Sequence, residues 1–560
     1  MAERDDSLIR RTWAEARDEA VRGWSVLRTR GPSKLQFWLI ALVIGIASGT
    51  AALVFRKGIE ALQRTLYGAD EATLASHAAS LPWGWILLVP VATGLAVGLI
   101  LDRFTPDGRV RAVSDVIEGA ALREGRVEVR EGLASAAASL LTLGGGGSSG
   151  REGPVVHLAG VVSTWVARRI AADGVTGRDL LGCAVAAAVS ASFNAPIAGA
   201  VFALEVVLRH FALHAVGPIA IAAVAGTVIN RLEYGGVSEF SLREAGALAF
   251  YWELPAFLLL GLLSGLVAVA LMRAIFLADD AGTAIMARTG LPRWLRPALA
   301  GLMLGALAIP FPNIIGVGYE TTSGALMGTM LLRDAVVLAL VKTLAVAITL
   351  GGRMGGGVFS PSLVIGALTG LAFGVVATAL LPEVSGSAAL YALAGMGAVS
   401  AAVLGAPIST TLIVFELTGD WQTGLAVMTS VSLSTALASR LVDRSFFLTQ
   451  LERRGVRIAS GPEWLLATVG VARLLRRPGE PGAPEEAALL SLCDRGLFLP
   501  PEATLAEAMP LFERTGEPFL PVATPATEGA ELRLWGALHE IDAVRAWNRA
   551  LRAASVEEHS

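Results

Sequence analysis

One carboxylate stands out for where it falls. Glu152 lies in Gly150-Arg151-Glu152-Gly153-Pro154, a glycine-rich break that opens an apolar stretch. A helix N-terminus presents unpaired N–H groups and the positive end of the helix dipole, so it attracts anions. A glutamate placed there can take the position of a diffusible anion. On protonation it loses that attraction and swings aside, which is the chemistry of a gate. The plainer alternative is a glutamate that caps its own helix. A matching break, Gly355-Gly356-Gly357-Val358-Phe359-Ser360-Pro361, occurs in the second half of the chain. Its glycines let the backbone approach an ion and its proline suits a first helical turn. The N–H groups of Val358 and Phe359 would then aim at the same anion; a break made only for packing is the competing reading.

The elements that hold such breaks must be membrane helices. The 560 residues are 54% hydrophobic and 17% charged, with a mean hydropathy of +0.61, too apolar for a soluble protein of this size. A carboxylate inside such a chain is expensive unless it has a use. The net charge of -3 gives no pull toward nucleic acid. Sixty-two glycines suit close helix packing and backbone that bends inside a protein-lined cavity. Cys183 and Cys493 are too few and too far apart for a disulfide framework or a zinc site. No His/Cys metal constellation, nucleophile–base motif or phosphate loop is present, so no catalytic or metal residue is expected. A membrane enzyme is disfavoured.

Residues 1–35 are read as a water-facing amphipathic start rather than a cleavable signal. Apolar runs begin at Phe37 to Val54 and Trp85 to Ile100. Arg28, Arg30 and Lys34 precede the first run, and Arg440, Arg444, Arg453, Arg454 and Arg457 follow the last. The positive-inside rule therefore puts both ends in the cytoplasm of a multi-pass inner-membrane protein. The segment 103–130 falls on the same side and the Lys/Arg-free loop 65–82 on the other.

A repeat organises the membrane part. Ala195-Pro196-Ile197 is followed by Glu205 nine residues after the proline, and Ala406-Pro407-Ile408, 211 residues on, by Glu416 at the same spacing. Gly150 to Pro154 and Gly357 to Pro361 share a Gly-x-x-x-Pro frame at nearly that offset. Two halves, about 36–230 and 249–457, with interrupted helices at matching places point to a transporter-like fold with its site at the repeat interface. Beyond 457 the composition turns polar. There Thr504 to Glu507 reads as a capping box, followed by strand-like runs Phe519 to Ala523 and Leu532 to Leu538 and another helix, a small cytosolic α+β unit.

Gly150-Arg151-Glu152-Gly153-Pro154 and Gly356-Gly357-Val358-Phe359-Ser360-Pro361, with Phe193-Asn194-Ala195-Pro196 between them, resemble the signature motifs of the CLC family of chloride channels and chloride/proton antiporters. The resemblance covers roughly 36–457. It implies an all-α polytopic fold of two inverted repeats with broken helices, a homodimer in the bilayer, and one pathway per subunit for chloride or a similar anion. It also implies Glu152 as the gate and an anion held by the N–H groups of Gly150, Arg151, Gly153, Gly357, Val358 and Phe359. Pro154 points to the chloride branch of the family rather than the fluoride branch.

Three departures bear on mechanism. The serine that commonly contacts the anion falls on Ala112 in Arg111-Ala112-Val113-Ser114-Asp115, so its hydroxyl is missing unless Ser114 substitutes. The usual tyrosine of the last membrane helix falls on Phe447. A second, proton-relaying glutamate is replaced by Val206, as in channel members. The expectation is therefore a gated passive anion channel, with a chloride/proton antiporter as the alternative and a membrane-embedded sensor with a vestigial pore as a third reading. Glu118, Glu205 and Glu416 are read as carboxylates in buried structural networks, and His157 as a packed, hydrogen-bonded histidine or a pH tuner of the gate. The 458–560 tail resembles a reduced CBS-type unit. Such units usually bind adenine nucleotides in pairs; one copy makes dimer contact or a plain folded tail the stronger reading, and no cofactor is expected.

Overall fold

The computed structural model describes residues 32–236, 253–382, 385–456, 458, 466, 469–477, 479–480, 482–524 and 533–559. Most of the expected N-terminal segment, residues 1–31, lies outside them. The chain divides into a membrane unit that ends at Arg454 and a tail unit from Gly455 onward, to which the short stretch Ala212–His214 is also assigned.

In the first half of the membrane unit the helices are α1 Lys34–Tyr67, α2 Leu74–Ala78, α3 Trp83–Phe104, α4 Val113–Leu122, α5 Val129–Gly144, α6 Glu152–Arg169, α7 Gly174–Phe193, α8 Pro196–Phe202 and α9 Leu213–Tyr234. In the second half they are α10 Leu254–Thr289, α11 Arg296–Ala308, α12 Tyr319–Leu326, α13 Leu332–Gly351, α14 Phe359–Leu380, α15 Ala388–Leu404, α16 Pro407–Thr418, α17 Trp421–Leu441 and α18 Phe446–Glu452. Among the described residues, seven helical segments are long and apolar enough to cross a membrane. α1, at 34 residues, is about 50 Å long, well beyond a hydrocarbon core of about 30 Å, so it must tilt or project. It starts at a capping box, in which Ser33 Oγ accepts from Gln36 N at 3.4 Å and Gln36 Oε1 accepts from Ser33 N at 2.9 Å.

Helices α7 and α15 are buried along nearly their whole length, consistent with sequences that are apolar on every face. Each ends in a left-handed residue at matching places, Asn194 (φ 56°) and Gly405 (φ 69°), followed at once by the Ala-Pro that starts the next helix. Close approach decides the α14–α15 contact. A Cβ on Gly370 would sit 2.9 Å from Ala392 Cα, so this helix pair tolerates no side chain there.

The glutamates nine residues after each Pro are cross-connected. Glu205 accepts from Ile408 N (2.9 Å), Ser409 N (2.8 Å) and Ser409 Oγ (2.6 Å) at the start of α16. Glu416 accepts from Ile197 N (3.0 Å) and Ala198 N (2.8 Å) at the start of α8. Each half thus caps a helix of the other, and both carboxylates are half-buried rather than buried. Past Leu441 and Ser445, α18 carries Phe447 inward, where it is 4% exposed.

The tail unit contains α19 Glu486–Asp494, α20 Leu505–Thr515, strands β1 Phe519–Thr524 and β2 Arg533–His539, and α21 Glu540–His559. The strands pair antiparallel with Leu520 opposite Leu538, and Thr504 with Glu507 forms the expected capping box. Its core gathers Leu505, Phe512, Leu520, Val522 and Leu538.

Candidate functional site

The two glycine-rich breaks meet. Gly150 N donates to Gly357 O and Gly357 N to Gly150 O, both at 2.7 Å, a two-bond antiparallel bridge between the halves. This corrects one expectation: the N–H groups of Gly150 and Gly357 serve each other and are not directed at an anion. The bridge needs bare backbone. A Cβ on Gly357 would sit 3.0 Å from Gly153 N, and Gly356 holds φ 118°, a conformation that side chains resist.

The bridge sets the N-termini of α6 and α14 side by side. Glu152, 2% exposed, reaches across, so that Ser360 Oγ donates to its Oε1 at 2.6 Å and Ser360 N to its Oε2 at 3.4 Å. The carboxylate therefore sits on the N-terminus of the other half's helix, not on its own. Phe359 is held there by its ring, 4.7 Å from Phe193 and stacked 5.8 Å from Phe202. Arg151, 1% exposed, turns the other way: Nη2 donates to Ser192 O at 3.0 Å, Nη1 lies 3.6 Å from Glu71 and Nε 3.9 Å from Glu152. The guanidinium shared between two carboxylates leaves none of the three buried charges without an opposite charge beside it.

One cavity collects most of the expected site. Ala112, Val113, Glu152, Gly153, Gly357, Val358, Phe359 and Phe447 all line it. Arg109, Arg353, Arg453 and Arg454 line it as well. Gly150, Arg151, Ser114, Val206, Glu118, Glu205 and Glu416 are not in the lining. Ser114 does not substitute for the missing serine: its hydroxyl lies 3.3 Å from Asp115 Oδ2 and accepts from Arg454 Nη2 at 3.1 Å. Asp115 accepts from Ala112 N at 2.8 Å and pairs with Arg454 at 2.8 Å, which ties the start of α4 to the end of α18. Val206 is buried in the π turn Ala203–Leu208 that follows α8. Glu118 is half-buried, not buried, and pairs with Arg123 at 2.6 Å.

Two residues were missed by the sequence reading. Ser360, which holds the Glu152 carboxylate, occupies the place in Gly357 to Pro361 that Gly153 occupies in Gly150 to Pro154, so superposing the two frames marks it as the odd side chain. Asp115 carried no such signal, because its partner Arg454 is 339 residues away. His157 also departs from expectation: it is 1% exposed, yet neither ring nitrogen has a hydrogen-bond partner among the described residues.

Glu128 lies between α4 and α5, outside the spanning helices. Partial burial opposes its ionisation, but hydrogen bonds from Arg123 and Arg111 hold its carboxyl below the usual carboxylate range. A lowered folded value means that its stabilisation is present above the unfolded pKa of about 4.3 and is lost as pH falls through the folded one. Thermal melts should therefore drop on acidification below about pH 5, with Glu128→Gln removing part of that drop and added salt weakening it. An identical pH dependence in the variant would contradict this.

Inverted halves, crossed helix N-termini and a carboxylate on a helix start inside a cavity define a polytopic transport protein with its site at the repeat interface. The comparisons agree. Residues 93–439 match the family model described as voltage gated chloride channel, so the chain belongs to that family, the CLC proteins, whose activity is gated anion transport. The chain is 36% identical over 393 residues to a putative chloride channel protein ClcB-like of Ralstonia nicotianae, covering 70% of this chain and 90% of the relative. It is 31% identical over 401 residues to the voltage-gated ClC-type chloride channel ClcB of Escherichia coli, covering 69% and 91%. The fold matches that of a slow cyanobacterial Cl−/H+ antiporter with a TM-score of 0.67 at 22% identity, over 76% of this chain and 98% of the other.

Proposed function

We propose that this protein moves chloride or a similar small anion in exchange for protons, with Glu152 as the gate. The observation that carries this reading is the Glu152 carboxylate seated on Ser360 N–H and Oγ–H in the cavity. A carboxylate that holds the anion's place by its charge loses its hold when protonated, so each opening takes up a proton. The anion then rests on the helix start at Val358, Phe359 and Ser360. The likeness to a Cl−/H+ antiporter supports exchange. Val206 supports a second reading, passive gated conduction, because valine carries no proton. The side of the cavity that bears the arginines faces the cytoplasm on this reading, and the assembly is the homodimer that the resemblance implies.

The test is purified protein in liposomes under a chloride gradient, with the membrane potential clamped and chloride and external pH recorded together. Protons driven uphill by chloride are the expected result. Chloride flux with no uphill proton movement would leave the passive reading, and no chloride flux at all would overturn both. Ala112 and Phe447 make a further point, because they line the cavity without a hydroxyl. Ala112→Ser with Phe447→Tyr is expected to tighten chloride binding about tenfold, the effect of a hydrogen bond to a charged group worth roughly 1.5 kcal/mol. Chloride titration calorimetry checks this, and unchanged affinity would count against an anion resting at these two residues.

A further inference from the structure

A second cavity, small and polar, lies beside the first. Its wall takes Asp107 and Arg111 from the segment before α4, Asp115 and Glu118 from α4, Arg123 and Glu128 from the segment after it, Arg454 from beyond α18, and His157 from α6. Four carboxylates thus face three guanidiniums, an excess of one negative charge. Among the described residues, His157 is the only uncharged side chain in that wall. From α5, Glu131 also faces the imidazole electrostatically and the Gly132 backbone packs on it, a Cβ there falling 2.7 Å from Nδ1. No residue of α1, α7 or α14 enters the lining.

The imidazole borders this cavity, both of its nitrogens are buried, and neither has a hydrogen-bond partner among the described residues, a lack that water entering the cavity would fill. A neutral ring with water at both nitrogens accepts a proton on one and releases the other, which is what a shuttle requires. The charge pattern separates the two kinds of traffic. An acidic wall favours a proton and repels chloride, whereas in the anion cavity Arg109 and Arg353, joined by Arg296 from outside its lining, converge on the single carboxylate of Asp279, at 3.3, 3.4 and 2.8 Å. Asp115 and Arg454 line both cavities, so one ion pair stands between them.

We propose that His157 is the proton acceptor on the arginine-bearing side, taking protons from the acidic cavity and delivering them to Glu152 by a route that does not use Val206. The proposal deepens the exchange reading and rests on it. In the step, a proton leaves a hydronium ion in the cavity and forms an N–H bond on one ring nitrogen. The proton on the other nitrogen leaves to water and ends as the O–H of Glu152. A ring flip restores the first tautomer, and no electrons are exchanged with a third party.

The experiment compares wild type, His157→Gln and Glu128→Gln in the liposome assay with simultaneous chloride and pH recording. In His157→Gln, chloride flux is expected to stay within about threefold while protons moved per chloride fall about tenfold or more, a modest loss for a positioned acid–base group. Glu128→Gln alters a partly exposed rim group and should slow proton movement severalfold, mostly above pH 6, without abolishing it. An unchanged proton-to-chloride ratio in both variants would overturn the assignment while leaving exchange intact. Should His157→Gln not fold, an unchanged ratio in Glu128→Gln overturns it alone. Wild type that moves chloride without protons would overturn exchange and this proposal together.

Discussion

Alanine at position 152 is expected to open the pathway and remove its dependence on pH. In the wild type the carboxylate is held by Ser360 and is buried, so on the proposed reading the anion position clears only when Glu152 is protonated and leaves. A single-proton gate changes flux by up to about tenfold per pH unit in the range where it titrates. Glu152→Ala has no group to seat, so chloride flux should vary less than about twofold over the same range and carry no coupled protons. Glu152→Gln keeps the shape and loses the charge, so its flux should be as independent of pH as that of Glu152→Ala but lower in level, because its amide oxygen still accepts from Ser360. Chloride efflux from liposomes at several pH values checks this. A Glu152→Ala protein with the wild-type pH profile would remove Glu152 from the gate.

Loss of Glu205 is expected to give the largest fall in stability. Its carboxylate satisfies two backbone N–H groups and one hydroxyl at the start of α16, in surroundings that offer them little else. Glu205→Ala strips all three and should cost about 2–4 kcal/mol. Glu416→Ala strips two N–H groups at the start of α8 and should cost less. Because α8 and α16 pack on each other, the double variant should cost less than the sum of the two. Thermal unfolding followed by size-exclusion chromatography in detergent gives the comparison, with Glu205→Gln expected near half the loss. A Glu205→Ala protein that melts with the wild type would show the crossed caps to be energetically idle.

Much of this was legible in the residues. Apolar runs, the paired Ala-Pro starts and the two glycine frames gave an all-α membrane protein of two related halves. Those are local signals: burial in lipid, proline in a first turn and glycine at a break act on the residue that carries them. The Thr504 capping box and the two tail strands were readable for the same reason, since turn and alternation patterns act within a few residues.

What the sequence left open depends on partners far apart along the chain. Glu152 was placed at a helix N-terminus, but that it seats on the helix of the other half, through Ser360 208 residues away, is a product of the Gly150–Gly357 bridge. The same bridge withdrew two N–H groups that had been expected on the anion. Glu205 and Glu416 read as two matching structural carboxylates, and only packing showed that they cap each other's repeats. His157 looked like a satisfied histidine because most buried ones are; its acidic surroundings come from the stretch 107–128 folding onto α6, with Arg454 brought in from the far end of the membrane unit. The sequence by itself determined the membrane, the two halves and the carboxylate proposed as the gate, because hydropathy and helix-start chemistry are carried by single residues and short spacings. Tertiary structure decided which donor each carboxylate meets, because hydrogen bonds and cavities are set by distances of about 3 Å between groups that the chain order places hundreds of residues apart.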